Sequence, residues 1–172
     1  MRYYVDLILR LILSFSLFLV NLSLVTLPIT FYSSYYFLVS LGYSVGLDAP
    51  NVLTLKDTTV NFVEACSASV AYTLLGLLIL LTKGVLWKTR LRMFLYGAGI
   101  IFIVNLFRVI LLLVILTEYG RDYFDAVHLF FWDVVASVLV VGVWIYLAKR
   151  YSVKEIPVIS DLKELRQRSM FR

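Results

Sequence analysis

From Met93 to Thr117 the chain runs through 25 residues with a single charged side chain, Arg108. As a helix at 1.5 Å per residue this run is about 37 Å long, enough to cross the roughly 30 Å hydrocarbon core of a bilayer. In hydrocarbon every backbone N–H and C=O must find its partner within the chain, so the run folds as a helix. An arginine inside it costs about 2.5–3.5 kcal/mol on the gentler insertion scale, so its side chain has to face protein or a wet cavity.

Three more apolar runs follow the same logic: Leu7 to Leu27, Ala65 to Leu81 and Val127 to Ala148. The chain is 62% hydrophobic, with a mean hydropathy of +0.92. That composition excludes an ordinary soluble domain. The expected fold is an all-α integral membrane protein of about four transmembrane helices. It forms one domain, 1–172, with a transmembrane core over 1–148 and a basic cytoplasmic tail over 149–172. The first span is expected to end at Pro28. The aromatic stretch Phe31 to Phe37, running on to Leu41, suits an interfacial or re-entrant helix. Asn51 to Leu55 and Thr58 to Val63 are rich in Thr and Val and flank Lys56-Asp57, which predicts a short extracytoplasmic β-hairpin-like segment. The first apolar run is long enough to remain as a span, and no cleavage site typical of a signal peptide follows it.

The net charge of +5 reads as topology rather than as a nucleic-acid footprint. Lys83, Lys88, Arg90 and Arg92 fill the loop after the second span, and Lys149, Arg150, Lys154, Lys163, Arg166, Arg168 and Arg172 fill the tail. The other two connectors lean acidic, through Asp48, Asp57 and Glu64 and through Glu118, Asp122 and Asp125. Both termini are therefore expected in the cytoplasm of a multi-pass protein of the cell membrane.

This topology gathers three residues toward one face. Cys66, the only cysteine, opens the second span, and His128, the only histidine, opens the fourth. Arg108 stands 16 positions past Arg92, roughly 24 Å of helix from the cytoplasmic edge. Each has a plain structural explanation alone: a small core residue, an interfacial polar residue, and a buried charge paired with Asp133 or Glu64. Together they suit nucleophilic acyl transfer, with Cys66 as nucleophile, His128 as general base and acid, and Arg108 as donor to an oxyanion. Asn105, one turn before Arg108, suits positioning the guanidinium or a substrate carbonyl. Asp125, three residues before His128, suits orienting the imidazole. An interhelical hydrogen bond and a helix cap explain these two equally well. A single cysteine excludes an intrachain disulfide, and one Cys with one His argues against a structural zinc site. No cofactor and no metal are expected.

Glu64-Ala65-Cys66-Ser67-Ala68, Asn105-Leu106-Phe107-Arg108 and Ala126 to Trp132 (Ala-Val-His-Leu-Phe-Phe-Trp) occur in that order. In these blocks the chain resembles the exosortase/archaeosortase family of polytopic membrane cysteine transpeptidases, over about Val45 to Ala148, and most of all its short archaeosortase-like members. Many members have Gly where this chain has Ala68. The resemblance implies Cys66, Arg108 and His128 as catalytic residues. It implies substrates that are secreted proteins bearing a C-terminal motif, a transmembrane helix and a basic tail. A lipid amine or glycan-linked group on the membrane is the implied acceptor, and no nucleic acid is involved. A substrate of that kind calls for a lipid-facing groove, for which Gly97, Ala98 and Gly99 are candidates, although ordinary bundle packing explains them better. Two other functions compete: a non-enzymatic membrane assembly or transport module with a structural Arg108, and a lipid acyltransferase working through a thioester.

Overall fold

A computed structural model gives the structure of residues 2–56, 58–130 and 136–170. Among the described residues there are seven α-helices and a three-stranded sheet. The helices are α1 (Arg2–Leu19), α2 (Ser23–Ser40), α3 (Ser69–Leu80), α4 (Trp87–Tyr119), α5 (Arg121–Phe130), α6 (Ala136–Arg150) and α7 (Ile159–Met170). The strands β1 (Val45–Ala49), β2 (Val52–Leu55) and β3 (Thr58–Asn61) lie between α2 and α3.

The 33-residue α4 is long and apolar enough to cross a membrane, as expected of this run. Its buried residues Met93, Gly97, Ile101, Asn105, Val109 and Leu113 recur at every fourth position. Four residues overshoot a turn by about 40°, so the buried stripe winds around the helix. Near Trp87 it faces α3 and α6, where Met93 and Ile101 pack with Leu75, Ile79, Val140 and Leu147. Near Tyr119 it faces α2 and the sheet, where Val109, Ile110 and Leu113 pack with Phe31, Leu38, Leu53 and Leu55. Gly97 serves bundle packing, because a Cβ there would stand 2.6 Å from Leu75 Cδ2 and 2.9 Å from Leu147 Cδ1. Ala98 and Gly99 instead line an apolar groove of about 390 Å³, with Leu22, Val25, Ile29 and Phe102.

The sheet is an antiparallel meander in the order β1-β2-β3. The expected hairpin is β2–β3, with Leu53 opposite Val60 and Lys56 in the left-handed turn conformation at φ 52°. Asp57 lies outside the described residues. β1 is an addition to the expectation; its Val-Gly-Leu-Asp-Ala sequence carries little strand propensity, and pairing with β2 forms it. Leu53 and Leu55 point inward by alternation and are both 1% exposed. Lys56 ion-pairs with Glu118 in the last turn of α4, which raises the lysine's pKa above its ordinary value.

The expected span Leu7 to Leu27 is not one straight helix. It breaks between α1 and α2 with a bend of 57°, the geometry of a broken span or a re-entrant loop. Asn21 causes the break: its Oδ1 accepts from the Ser23 N–H at 3.1 Å, an Asx turn that replaces helical pairing. Pro28 does not end a helix either. It sits inside α2 together with the aromatic stretch expected as a separate element. Proline is tolerated inside membrane helices where neighbouring groups re-satisfy the freed backbone. α3, with 12 residues, is a shorter apolar helix; of the expected fourth span, 127–130 lie in α5 and 136–148 in α6, with 131–135 outside the described residues.

Two arginines close the Trp87 end of the bundle. Arg90, 4% exposed, donates to the carbonyls of Leu80, Thr82 and Val85 at 2.9–3.0 Å and so caps α3 and its loop. Arg10, 1% exposed, donates to both carboxylate oxygens of Asp161 at 2.8 and 3.0 Å, fastening α7 to α1. Lys83 pairs with Glu164 at 3.2 Å beside it. The tail is thus a packed element, not only a run of charges.

Burial by itself raises the Asp161 carboxyl's pKa, but the Arg10 and Tyr3 hydrogen bonds and the charges of Arg10 and Lys83 outweigh it and hold it below the ordinary value. A depressed carboxylate contributes stability above its unfolded pKa of about 3.9 and loses it as pH falls through the folded value. Asp161→Asn is expected to cost about 1–3 kcal/mol at neutral pH, because buried Arg10 loses its two-oxygen carboxylate partner and keeps the more exposed Asp6, 2.9 Å from its Nε. Denaturant unfolding in detergent, with proteolysis of α7 as the local readout, checks this. The wild-type advantage should shrink below pH 4 or so, and an equal cost at pH 3 and pH 7 would refute the assignment.

Candidate active site

Between β3 and α3 the backbone makes a tight turn. Val63 is extended, Glu64–Ser67 form a single 3-10 turn, and Ala68 is left-handed at φ 52° and ψ 25°. α3 begins only at Ser69, so Cys66 stands three residues ahead of the helix it was expected to open. Its N–H donates to the Val63 carbonyl at 2.8 Å. Ser67, fully buried, donates its hydroxyl to the Glu64 carbonyl at 2.7 Å and accepts from the Ser69 N–H, the first of α3, at 3.3 Å.

α4 holds the turn from below. Asn105, 4% exposed, donates Nδ2 to the Cys66 carbonyl at 2.8 Å. Arg108, 8% exposed and one turn further on, donates Nη2 to the Ala65 carbonyl at 3.1 Å. The thiol is half-buried, packed against the cluster of α2, the sheet and α4, with the Arg108 charge as its Coulombic partner. The break between α1 and α2 holds the turn from the other side. Ser23 Oγ lies 2.8 Å and Asn21 Nδ2 3.4 Å from Glu64 Oε1. Asn21 and Ser23 are additions to the residues expected here. The signal for them is an Asn followed two residues on by Ser inside an apolar run, a pattern that makes an Asx turn.

The structure thus brings together Cys66, Arg108 and Asn105. Arg108 pairs with a backbone carbonyl rather than with Glu64, while Asp133 lies outside the described residues. His128 stands in the last turn of α5, a helix that follows Gly120 and packs on α4. Its ring faces Phe124 at 5.4 Å between centroids. The described contacts of Cys66 and Arg108 do not include it. Asp125 lies within α5, not at its cap, 3.9 Å from Arg121 Nε. Phe131 and Trp132 of the third sequence block lie outside the described residues. Among the described residues no group of three or more His, Cys, Asp or Glu is arranged to hold a metal ion.

A thiol beside a guanidinium, on a turn fixed by side chains from two directions, can present a nucleophile at a constant position; a base for its proton has to come from a further group. Comparison with known families finds that the model described as "Transmembrane exosortase" matches residues 6–148. No curated protein and no solved structure matches the chain.

Ala68 takes a conformation that glycine reaches without steric cost, which is the physical reason for a glycine at this position. An L-residue there costs about 1–2 kcal/mol, and glycine returns about 0.4–1 kcal/mol of that through the looser unfolded chain. Ala68→Gly is therefore expected to stabilise the protein by up to about 1 kcal/mol without displacing Cys66. Equilibrium unfolding measures it, and a destabilised variant would show that the alanine methyl makes packing contacts outweighing the strain.

Proposed function

The chain belongs to the transmembrane exosortase family, and on that premise we propose that it is a membrane-embedded cysteine transpeptidase acting on C-terminal sorting signals of secreted proteins. The observation that carries the reading is the joining of Cys66 and Arg108, 42 positions apart in sequence, through the Ala65 carbonyl. Family membership supports transpeptidase-type chemistry, and this contact supplies a cysteine and a cation side by side.

In the proposed reaction the Cys66 thiol gives its proton to His128 and its sulfur attacks the carbonyl carbon of the scissile peptide bond. The carbonyl oxygen becomes an oxyanion, stabilised by Arg108, which has five N–H donors. The C–N bond breaks, the departing amine takes the proton from His128, and the secreted protein remains as a thioester on Cys66. A membrane lipid amine or a glycan-linked group then attacks the thioester, His128 accepts its proton, and the thiol is restored. The substrate's transmembrane helix and basic tail leave with the amine. In this scheme His128 acts from α5, and Asp125, three residues before it, orients the imidazole. Four membrane passages place both termini and the Lys83–Arg92 loop in the cytoplasm of a cell-membrane protein, with Cys66 on the opposite face. The chemistry uses no cofactor.

One observation favours a second reading, a non-enzymatic membrane module: Arg108 donates to the backbone carbonyl of Ala65, as a purely structural arginine does.

The test is mass spectrometry of surface proteins with C-terminal helices co-expressed with this chain. Wild type should remove the helix and add the acceptor's mass, and Cys66→Ala should abolish this while remaining expressed. His128→Ala should slow processing by about 10²–10⁴-fold and Arg108→Ala by about 10²–10³-fold. Processing that survives Cys66→Ala, or Arg108→Ala failing only in expression, would move the assignment to the structural module.

A further inference from the structure

Asn105 makes a contact that the proposed reaction does not use: it donates to the carbonyl of the very residue that carries the thiol. We propose that Asn105 is the positioning residue of the Cys66 turn, fixing the cysteine's backbone so that the thiol stays beside Arg108. This rests on Cys66 being the reactive group, and it adds a residue acting through the nucleophile rather than on the substrate.

The turn needs such a hold. It is one 3-10 turn long, between a strand and a helix that do not extend into it. Its own bonds secure the Val63 and Glu64 carbonyls, through the Cys66 N–H and the Ser67 hydroxyl. The next two carbonyls, of Ala65 and Cys66, turn toward α4 and are taken by Arg108 and Asn105. These two donors differ in kind. A guanidinium recruited to an oxyanion can be drawn away from Ala65, whereas the Asn105 amide is buried at 4% exposure with Nδ2 committed to Cys66. Asn105 therefore keeps the turn in place when Arg108 engages substrate. The direction of its bond is unambiguous, because only the amide nitrogen can donate to a carbonyl oxygen.

The uniqueness of Cys66 makes the contact directly observable. Growth on cysteine carrying ¹³C at the carbonyl labels one backbone position in the whole chain. The infrared amide band of that carbonyl in wild type should lie at a hydrogen-bonded frequency and move upward in Asn105→Ala. The rate at which iodoacetamide alkylates Cys66 at neutral pH should fall about five- to tenfold in Asn105→Ala, and Asn105→Gln, which keeps the amide, should recover part of it. Melting temperature confirms that each variant is folded; if Asn105→Ala is not, Asn105→Gln and the wild-type band carry the test. An unshifted band, or an alkylation rate that is unchanged or raised, overturns the proposal. Neither readout needs a substrate, so absence of processing would count against the transpeptidase reading and not against this one. If wild type processes substrate, Asn105→Ala should lower kcat about as much as alkylation and leave KM unchanged; a change in KM alone would mark Asn105 as a substrate contact instead.

Discussion

The carbonyls of Ala65 and Cys66 fall where neither a strand ladder nor a helix can pair them, inside a bundle of apolar helices. Left unpaired in such surroundings, each costs about 1–3 kcal/mol. α4 answers with two polar side chains, Asn105 and Arg108, both at least nine-tenths buried. Their spacing of one helical turn matches two successive residues of the turn above. Meeting both carbonyls at once fixes the rotation of α4 about its axis as well as its height against the turn.

That rotation sets the rest. With Asn105 facing the Cys66 turn, residues eight and twelve positions earlier, Gly97 and Met93, face α3 and α6, and Val109 and Leu113 face α2 and the sheet. The two apolar clusters meet α4 above and below one polar layer, and the candidate site is that layer. A helix rolled by one residue, about 100°, would present Leu106 to the carbonyls and leave Asn105 among apolar residues. The amide and the guanidinium thus act as a register device within an otherwise uniform apolar surface, where hydrophobic burial alone discriminates poorly among rotations.

Much of this was legible in the sequence for identifiable reasons. The long helix follows from an apolar run with one charge, and β2–β3 from Thr and Val enrichment around Lys56. Cys66 and Arg108 stand out because a thiol and a guanidinium are rare company in such runs. The break at Asn21 was hidden because apolar residues on both sides continue the same pattern, and only the side-chain bond to Ser23 reveals it. β1 was hidden because its stability comes from pairing rather than propensity. Arg10 and Asp161 meet across 151 positions, and nothing local in either stretch marks the other. The meeting of His128 with Cys66 is suggested by the order of spans alone; His128 stands near the end of α5, and residues 131–135, which follow that helix, lie outside the described residues.

Why arginine, and not lysine, stands at 108 follows from the same layer. A lysine ammonium is a point charge and strongly hydrated, and burying it beside one carbonyl leaves most of its hydration unreplaced. The guanidinium is planar and weakly hydrated, and its donors point in different directions. One edge can hold the Ala65 carbonyl while another faces outward past it. Asn105 makes that division workable, since it secures the neighbouring carbonyl with a neutral group that has no other task. A single polar layer can then serve both as the fastening of the turn and as the source of positive charge beside the thiol, and the folding requirement and the proposed chemistry draw on the same two side chains.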